Sequence, residues 1–334
     1  MTTVLYFDTA RLGRMCRGAY SAERDFSKLA SQHGSSLYFE RFLADGHESL
    51  PKKLRDRLPG LQSWLGVSEL KHGLKRFVAL PVDGSALLAS QSRTLITLAA
   101  ECLFGRCERV LATDLEWPPY LAALKRTTVR HGKQLHVARE RQQVLSGSVA
   151  KTALIEKVVD AYREGGFDGL FLSDVTHTGV RMPSREILQA IPAAVRPRFT
   201  VIDGAQALAH RPLRLDAIGA DLYLAGAQKW FGDYHPLRMA FVSPDAGDVR
   251  HAMRSLIVSS RVFDPLYELL EGVERGMQSR FGETVNLVAL MTAAGALAQW
   301  NADSSQVQRT WRIRQYNRRQ VTPFGIRCGN FGDS

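Results

Sequence analysis

An aspartate, a glutamine and a lysine stand at the ends of two apolar runs, where their side chains could act on one ligand. Asp203 closes the run FTVID, Gln206 follows three positions later, and Lys229 comes just after the run ADLYLAG, 26 positions beyond Asp203. If the runs are neighbouring parallel strands, their carboxyl ends border one crevice, the place where open α/β sheets hold ligands. A carboxylate and an amine presented together suit pyridoxal phosphate (PLP). The amine condenses with the aldehyde as a Schiff base. The carboxylate keeps the pyridine nitrogen protonated, so that the ring accepts electrons when a bond to the substrate α-carbon breaks. Gln206 could donate to the ring oxygen beside the aldehyde. Taken singly, a lysine after a strand is ordinarily solvated surface, and Asp203 fits equally well as a helix cap for GAQAL. The combination of the three favours the site.

The elements that must position these residues follow from alternating patterns. ERVLATDLEW, FDGLFLSDV, RFTVIDGAQAL, ADLYLAGAQKW and LRMAFVSP read as strands. LAALKRTTVRHGKQL reads as helix and turn, and AKTALIEKVVDAYREGG as an amphipathic helix closed by glycines. SREILQAIPAAV reads as a helix with Ser184 as N-cap. Strands alternating with helices predict an α/β three-layer sandwich with a mostly parallel central sheet. The C-terminal third changes character: RVFDPLYELLEGVERGM and NLVALMTAAGALAQW are helical, and FGIRCGNFGDS reads as a strand and loop. The expected division is an N-terminal segment over 1–80, a large ligand-binding domain over 81–260, and a helical C-terminal region with a small, truncated α+β part over 261–334.

The segments VIDGAQALAH and DLYLAGAQKWFG resemble the cofactor segments of fold-type I PLP enzymes, in particular the class V aminotransferase and cysteine desulfurase family. Further segments match in order: LYFDTARLG the opening strand and loop, SQSRTLITLAA the phosphate loop and helix, and LEWPPY the ring-stacking position. SDVTHTGVRMP matches the substrate-facing loop, SRFGETVN the segment that reaches a neighbouring subunit's cofactor, and GIRCGNF the desulfurase cysteine loop. The resemblance implies that Lys229 carries PLP and that Asp203 and Gln206 contact its ring. Trp117 stacks on the ring. Gln91, Ser92 and Arg93 hold its phosphate at a helix N-terminus, with help from Gln228 and, across a dimer interface, from Thr284. His177 and Arg327 face the substrate. Three departures stand out. Gln228 replaces a phosphate-binding histidine, Gly226 replaces a small hydroxyl residue, and Gly332 stands where the desulfurase cysteine would be, with Cys328 nearby. The chain also ends before the arginine that usually clamps the substrate carboxylate, and Arg327 is the nearest matched basic residue.

The resemblance implies an enzyme acting on a small amino acid through an external aldimine, by transamination or β/γ-elimination. The ring-stacking Trp117 and the missing cysteine argue against a persulfide-forming desulfurase. Two other readings stay open: a C–S lyase or cysteine desulfurase-like activity, and a catalytically inactive PLP-fold binding protein. A homodimer with the cofactor near the interface is expected.

The bulk composition narrows the rest. The chain has 334 residues, 45% of them hydrophobic and 23% charged, which suits a globular protein and excludes disordered and fibrous classes. Its four cysteines form no CxxC pair and no histidine cluster has metal spacing, so no metal is expected. The most apolar stretch, Leu287–Trp300, is shorter than the about 20 residues that span a bilayer. No secretory pattern opens the chain, and a soluble, cytoplasmic protein is expected. The net charge of +11 and the five arginines of Arg309–Arg319 are compatible with an acidic partner. No nucleic-acid-binding motif accompanies them, so a solvated helix is the expected reading and nucleic acid is not expected as a partner.

Overall fold

The apolar runs become strands whose residues alternate between two cores. In the computed structural model, which describes residues 8–38, 41–258, 262–276 and 283–302, seven strands form one sheet. They are β1 (Ser85–Ala89), β2 (Arg109–Thr113), β3 (Gln134–Ala138), β4 (Gly169–Ser173), β5 (Phe199–Asp203), β6 (Leu222–Gly226) and β7 (Arg238–Val242). Their order is β1-β7-β6-β5-β4-β2-β3. All neighbours are parallel except β7, which runs antiparallel to both β1 and β6. This is the mostly parallel sheet that the alternation of strands and helices predicts.

Side-chain alternation divides the sheet into two faces. Leu111, Leu170, Leu172, Ile202, Tyr223 and Phe241 enter one buried cluster. Their neighbours Val110, Phe171, Val201, Leu222, Leu224 and Ala240 enter the other, packed with the helices Ser92–Arg106 and Pro118–His131. Every residue of β4, β5 and β6 is buried. Burial on both faces explains why these strands read as unbroken apolar runs.

Local signals are mostly obeyed. The helix Pro118–His131 starts on two prolines and ends at Gly132 in the left-handed conformation. The helix Lys151–Glu164 is followed by Gly165 and by Gly166 at φ +59°. Ser184 corrects the expected cap. Pro183 holds the N-cap position of the helix Ser184–Ala190, which has no side-chain cap, and the Ser184 hydroxyl donates to the Ser173 carbonyl at 3.0 Å. The buried end of β4 competes successfully for that hydroxyl. Within RFTVIDGAQAL the strand β5 stops at Asp203, where the run FTVID is expected to close, and a turn follows.

Two remote segments brace the loop that carries Lys229. The Gly13 N–H donates to the Gln228 carbonyl at 2.7 Å, and a Cβ at Gly13 would lie 1.7 Å from the Lys229 carbonyl oxygen. Only glycine permits so close a crossing. Cys16 N–H bonds the Gly232 carbonyl at 2.8 Å. The helix Arg17–His33 then packs along Val288–Ala302, with Gly18 and Gly295 at the closest approach. Trp300 on that second helix donates from its indole to the Phe231 carbonyl at 2.9 Å.

Candidate functional site

Asp203 is the last residue of β5, in register with Ser173 on β4 and Leu224 on β6. It is buried, and one carboxylate oxygen accepts from the Ala205 N–H at 2.9 Å. That bond closes a turn rather than a helix. Burial pushes its pKa up to about 6, against the pull of the Ala205 bond and of the Lys229 charge; Asp174 adds to the rise. Lys229 follows the end of β6 by three residues and is half-buried. Burial lowers its pKa, the Asp203 charge opposes this, and Arg238 lowers it further. The amine and carboxylate therefore sense each other, yet they form no ion pair among the described residues. The space between two such groups is where a polar ring could sit.

Gln206 is held from both sides. Its Nε2 donates to the Ala10 carbonyl at 2.8 Å, and its Oε1 accepts from the Trp230 indole at 2.9 Å. Its amide thus ties the N-terminal segment to the lysine loop. Trp230 in turn stacks on His210, with ring centroids 3.9 Å apart and planes at 5°.

Trp117 precedes the helix Pro118–His131 and leaves 42% of its surface exposed, with its ring edge-on to Tyr120. Beneath it lies a buried acid, Glu116. Thr113 donates to one Glu116 oxygen at 2.8 Å and Ser173 to the other. Burial raises the Glu116 pKa to about 8 despite those two bonds, with the Asp203 charge contributing. Glu116 is therefore mostly protonated at neutral pH. Asp174, one residue beyond β4, is buried as well. It accepts from Arg211 at both oxygens and from the Tyr223 hydroxyl at 2.7 Å. The floor of the crevice thus carries three carboxylic acids, of which one is neutralised by protonation and one by a guanidinium.

The helix Ser92–Arg106 begins beside β1 with Gln91 as its N-cap residue and no side-chain cap. Gln91 and Arg93 are exposed and Ser92 is half-buried. The Asp264 carboxylate accepts from the Ser90 N–H at 3.0 Å and, more weakly, from the Gln91 N–H at 3.4 Å. Of the phosphate loop expected at 91–93, the Gln91 amide is thereby engaged by a carboxylate. Gln228 is only 4% exposed, and its Oε1 is buried without a partner among the described residues. His177 Nδ1 is likewise buried and unpartnered. Burial lowers the His177 pKa, and the charge of Arg141 lowers it further. Thr284 is exposed. Arg327, Cys328 and the Arg309–Arg319 stretch lie outside the described residues.

The structure thus brings Asp203, Gln206, Lys229 and Gln228 together at the ends of β5 and β6. Glu116, Asp174, Arg211 and Arg238 were not singled out by sequence. Only Glu116, one position before Trp117, had a local signal. Among the described residues no group of three or more His, Cys, Asp or Glu could hold a metal ion. No helix among them is long and apolar enough to cross a membrane.

Residues 169–234, from β4 through the lysine loop, match the family model of aminotransferase class V. No curated protein sequence matches the chain. Solved structures share its fold at low identity. The cysteine desulfurase CsdA from Escherichia coli has 15% identity and a TM-score of 0.61, covering 91% of this chain and 69% of that one. The cystine C-S lyase C-DES, solved with its product cysteine persulfide, has 14% identity and a TM-score of 0.56, covering 90% and 72%. Another C-DES structure carries glycine covalently linked to its PLP cofactor. The ureidoglycine–glyoxylate aminotransferase of Bacillus subtilis has 13% identity and a TM-score of 0.55, covering 73% and 59%.

Proposed function

We infer that this chain, which carries the aminotransferase class-V segment on the fold of the PLP-dependent transferases, is itself a PLP enzyme acting on a small amino acid. The observation that carries the reading is the Asp203–Lys229 pair. Both groups are drawn toward their neutral forms by burial, and they feel each other's charge without touching. An acid and an amine kept apart at adjacent strand ends fit the two poles of a pyridine aldehyde. The unpartnered Gln228 amide oxygen, buried one residue before the lysine, further supports a polar group bound there.

When bound, PLP supplies an electrophilic carbon for amines and a ring that accepts the electron pair of a bond broken at an amino acid's α-carbon. Lys229 is suited to hold that carbon. Its lowered pKa raises the fraction of neutral amine at physiological pH, which serves both attack and later proton transfer. Asp203 would hold a proton at the ring nitrogen, and a buried carboxylate near pH 6 is ionised enough to do so. The exposed face of Trp117 would cover one side of the ring and exclude water. His177, whose Nδ1 is buried without a partner among the described residues, would be available to contact the substrate.

The reaction favoured is transamination or elimination without a protein persulfide. Burial raises the pKa of Cys16, that of Cys102 to about 11 and that of Cys107 to about 12. None of these three, the cysteines among the described residues, is a nucleophilic thiolate at neutral pH, and Cys328→Ser, which should leave activity intact, tests the remaining one. The test incubates the holoprotein with a panel of small amino acids, following the cofactor spectrum and the released products together. A keto acid with an aminated cofactor identifies transamination. Ammonia with sulfide or a persulfide identifies C–S elimination. A spectrum unmoved by every amino acid contradicts an enzyme of this kind.

A further inference from the structure

We propose that Arg238 anchors the cofactor's phosphate, in a recess shaped by Gly226, Gln228 and the start of the helix Ser92–Arg106. The proposal rests on the PLP reading above and names the residue that takes over where Gly226 and Gln228 offer no cation. Arg238 is the first residue of β7 and pairs with Gly226 on β6 and Ala89 on β1. Alternation puts these three on the face that also buries Ala240, Leu224 and Leu87 against the helices. Both neighbours in that row lack bulk, so a long side chain can lie between them. A Cβ on Gly226 would stand 2.8 Å from Arg238 Nη1 and 2.6 Å from Gln228 Oε1. The guanidinium and the amide therefore border the volume that a side chain at 226 would fill.

Neither group is satisfied there. Arg238 Nε and Gln228 Oε1 are both buried without a hydrogen-bond partner among the described residues. Arg238 forms no ion pair among them either, and its pKa is lowered by burial. A half-buried guanidinium whose buried Nε lacks a partner and a counter-charge is costly, and an anion would relieve that cost; the Gln228 oxygen is an acceptor, so its amide would have to turn and offer Nε2 to such an anion. Ala89 lies three residues before Ser92, whose helix has no side-chain cap and a positive N-terminal dipole, but the Asp264 carboxylate already accepts from the Ser90 and Gln91 N–H groups there, so Arg238 has to supply the main attraction for an anion. Tyr120 senses the Arg238 charge and its hydroxyl meets Ser92, which links the guanidinium to that helix start. Lys229 adds its own charge nearby. A guanidinium binds a phosphate's oxygens with two parallel N–H donors, which an ammonium cannot do.

The test compares PLP with pyridoxal, which has the same aldehyde and ring but no phosphate. The full-length protein, stripped of cofactor, is titrated with each by absorbance. Wild type is expected to prefer PLP strongly, and inorganic phosphate should compete with PLP. Arg238→Gln should weaken PLP binding by about 30-fold or more, the scale of a lost buried charge contact, and should leave pyridoxal binding within about twofold. Phosphate competition should vanish in the same variant. Should that variant fail to fold, Arg238→Lys carries the test, with about a tenfold loss of the preference expected from the missing second donor. A PLP preference that survives substitution overturns the assignment while leaving the PLP reading intact. Wild-type protein that binds neither compound overturns the PLP reading itself, and the assignment with it.

Discussion

Replacing Glu116 by glutamine isolates the neutral acid under the crevice. Burial lifts the Glu116 pKa from 4.5 to about 8, with Thr113 and Ser173 donating to its two oxygens. Between those two values the folded protein keeps the proton and the unfolded chain has lost it. Folding stability of wild type then falls with rising pH, by about 1.4 kcal/mol per pH unit. The loss begins near the unfolded pKa and levels off above about 8. Over the full interval it amounts to about 5 kcal/mol. Glutamine has the same shape, offers an N–H to one hydroxyl, and does not titrate. Asp203 titrates in the same range but faces a neutral group in both proteins, so its contribution cancels in the comparison. Urea unfolding of both proteins at pH 5.5 and 7.5 gives the needed double difference. Glu116→Gln should gain about 2.7 kcal/mol relative to wild type between those two pH values. A gap that stays constant with pH would mean that Glu116 is already ionised in the folded protein, and the reasoning from burial would be wrong.

Three further outcomes follow from the same geometry. Asp203→Asn should keep PLP affinity within about tenfold while turnover falls by roughly two to four orders of magnitude, the scale of a lost proton-handling group; unchanged turnover in a steady-state assay would make Asp203 structural. Arg211→Met leaves the buried Asp174 carboxylate with Tyr223 alone and should cost about 3 kcal/mol or more in chemical denaturation. A homodimer tightened by cofactor is expected, because Thr284 is exposed and would complete a neighbour's site. Sedimentation of apo and holo protein across a dilution series reads this directly, and a monomer with undiminished PLP affinity removes Thr284 from the site.

The parts of this fold that could be read from sequence are those whose signals are local. β4, β5 and β6 are apolar at every position because helices cover both faces, so their runs and the residues ending them, Asp203 and Lys229, stand out. β3 was not read as a strand. It lies at the sheet edge, where Gln134–Ala138 alternates exposed and half-buried residues over much of its length, and its polar spelling resembles a turn. Arg238 was hidden for a different reason. Its place opposite Gly226 is set by the antiparallel register of β7, a non-local pairing that LRMAFVSP does not announce. Ser184 satisfied every local rule for a helix cap, yet its hydroxyl serves the end of β4, because tertiary contact outweighed a cap worth about 1 kcal/mol.

Covalent capture of the cofactor decides whether Lys229 carries it. The protein is incubated with PLP, reduced with sodium borohydride, and mapped by peptide mass spectrometry, with Lys229→Ala treated in parallel. The expected result is one phosphopyridoxyl group per chain, confined to Lys229, and none retained by the variant. Absence of label, or a label spread over surface lysines that the variant retains equally, would contradict a PLP enzyme built on Lys229 and Asp203.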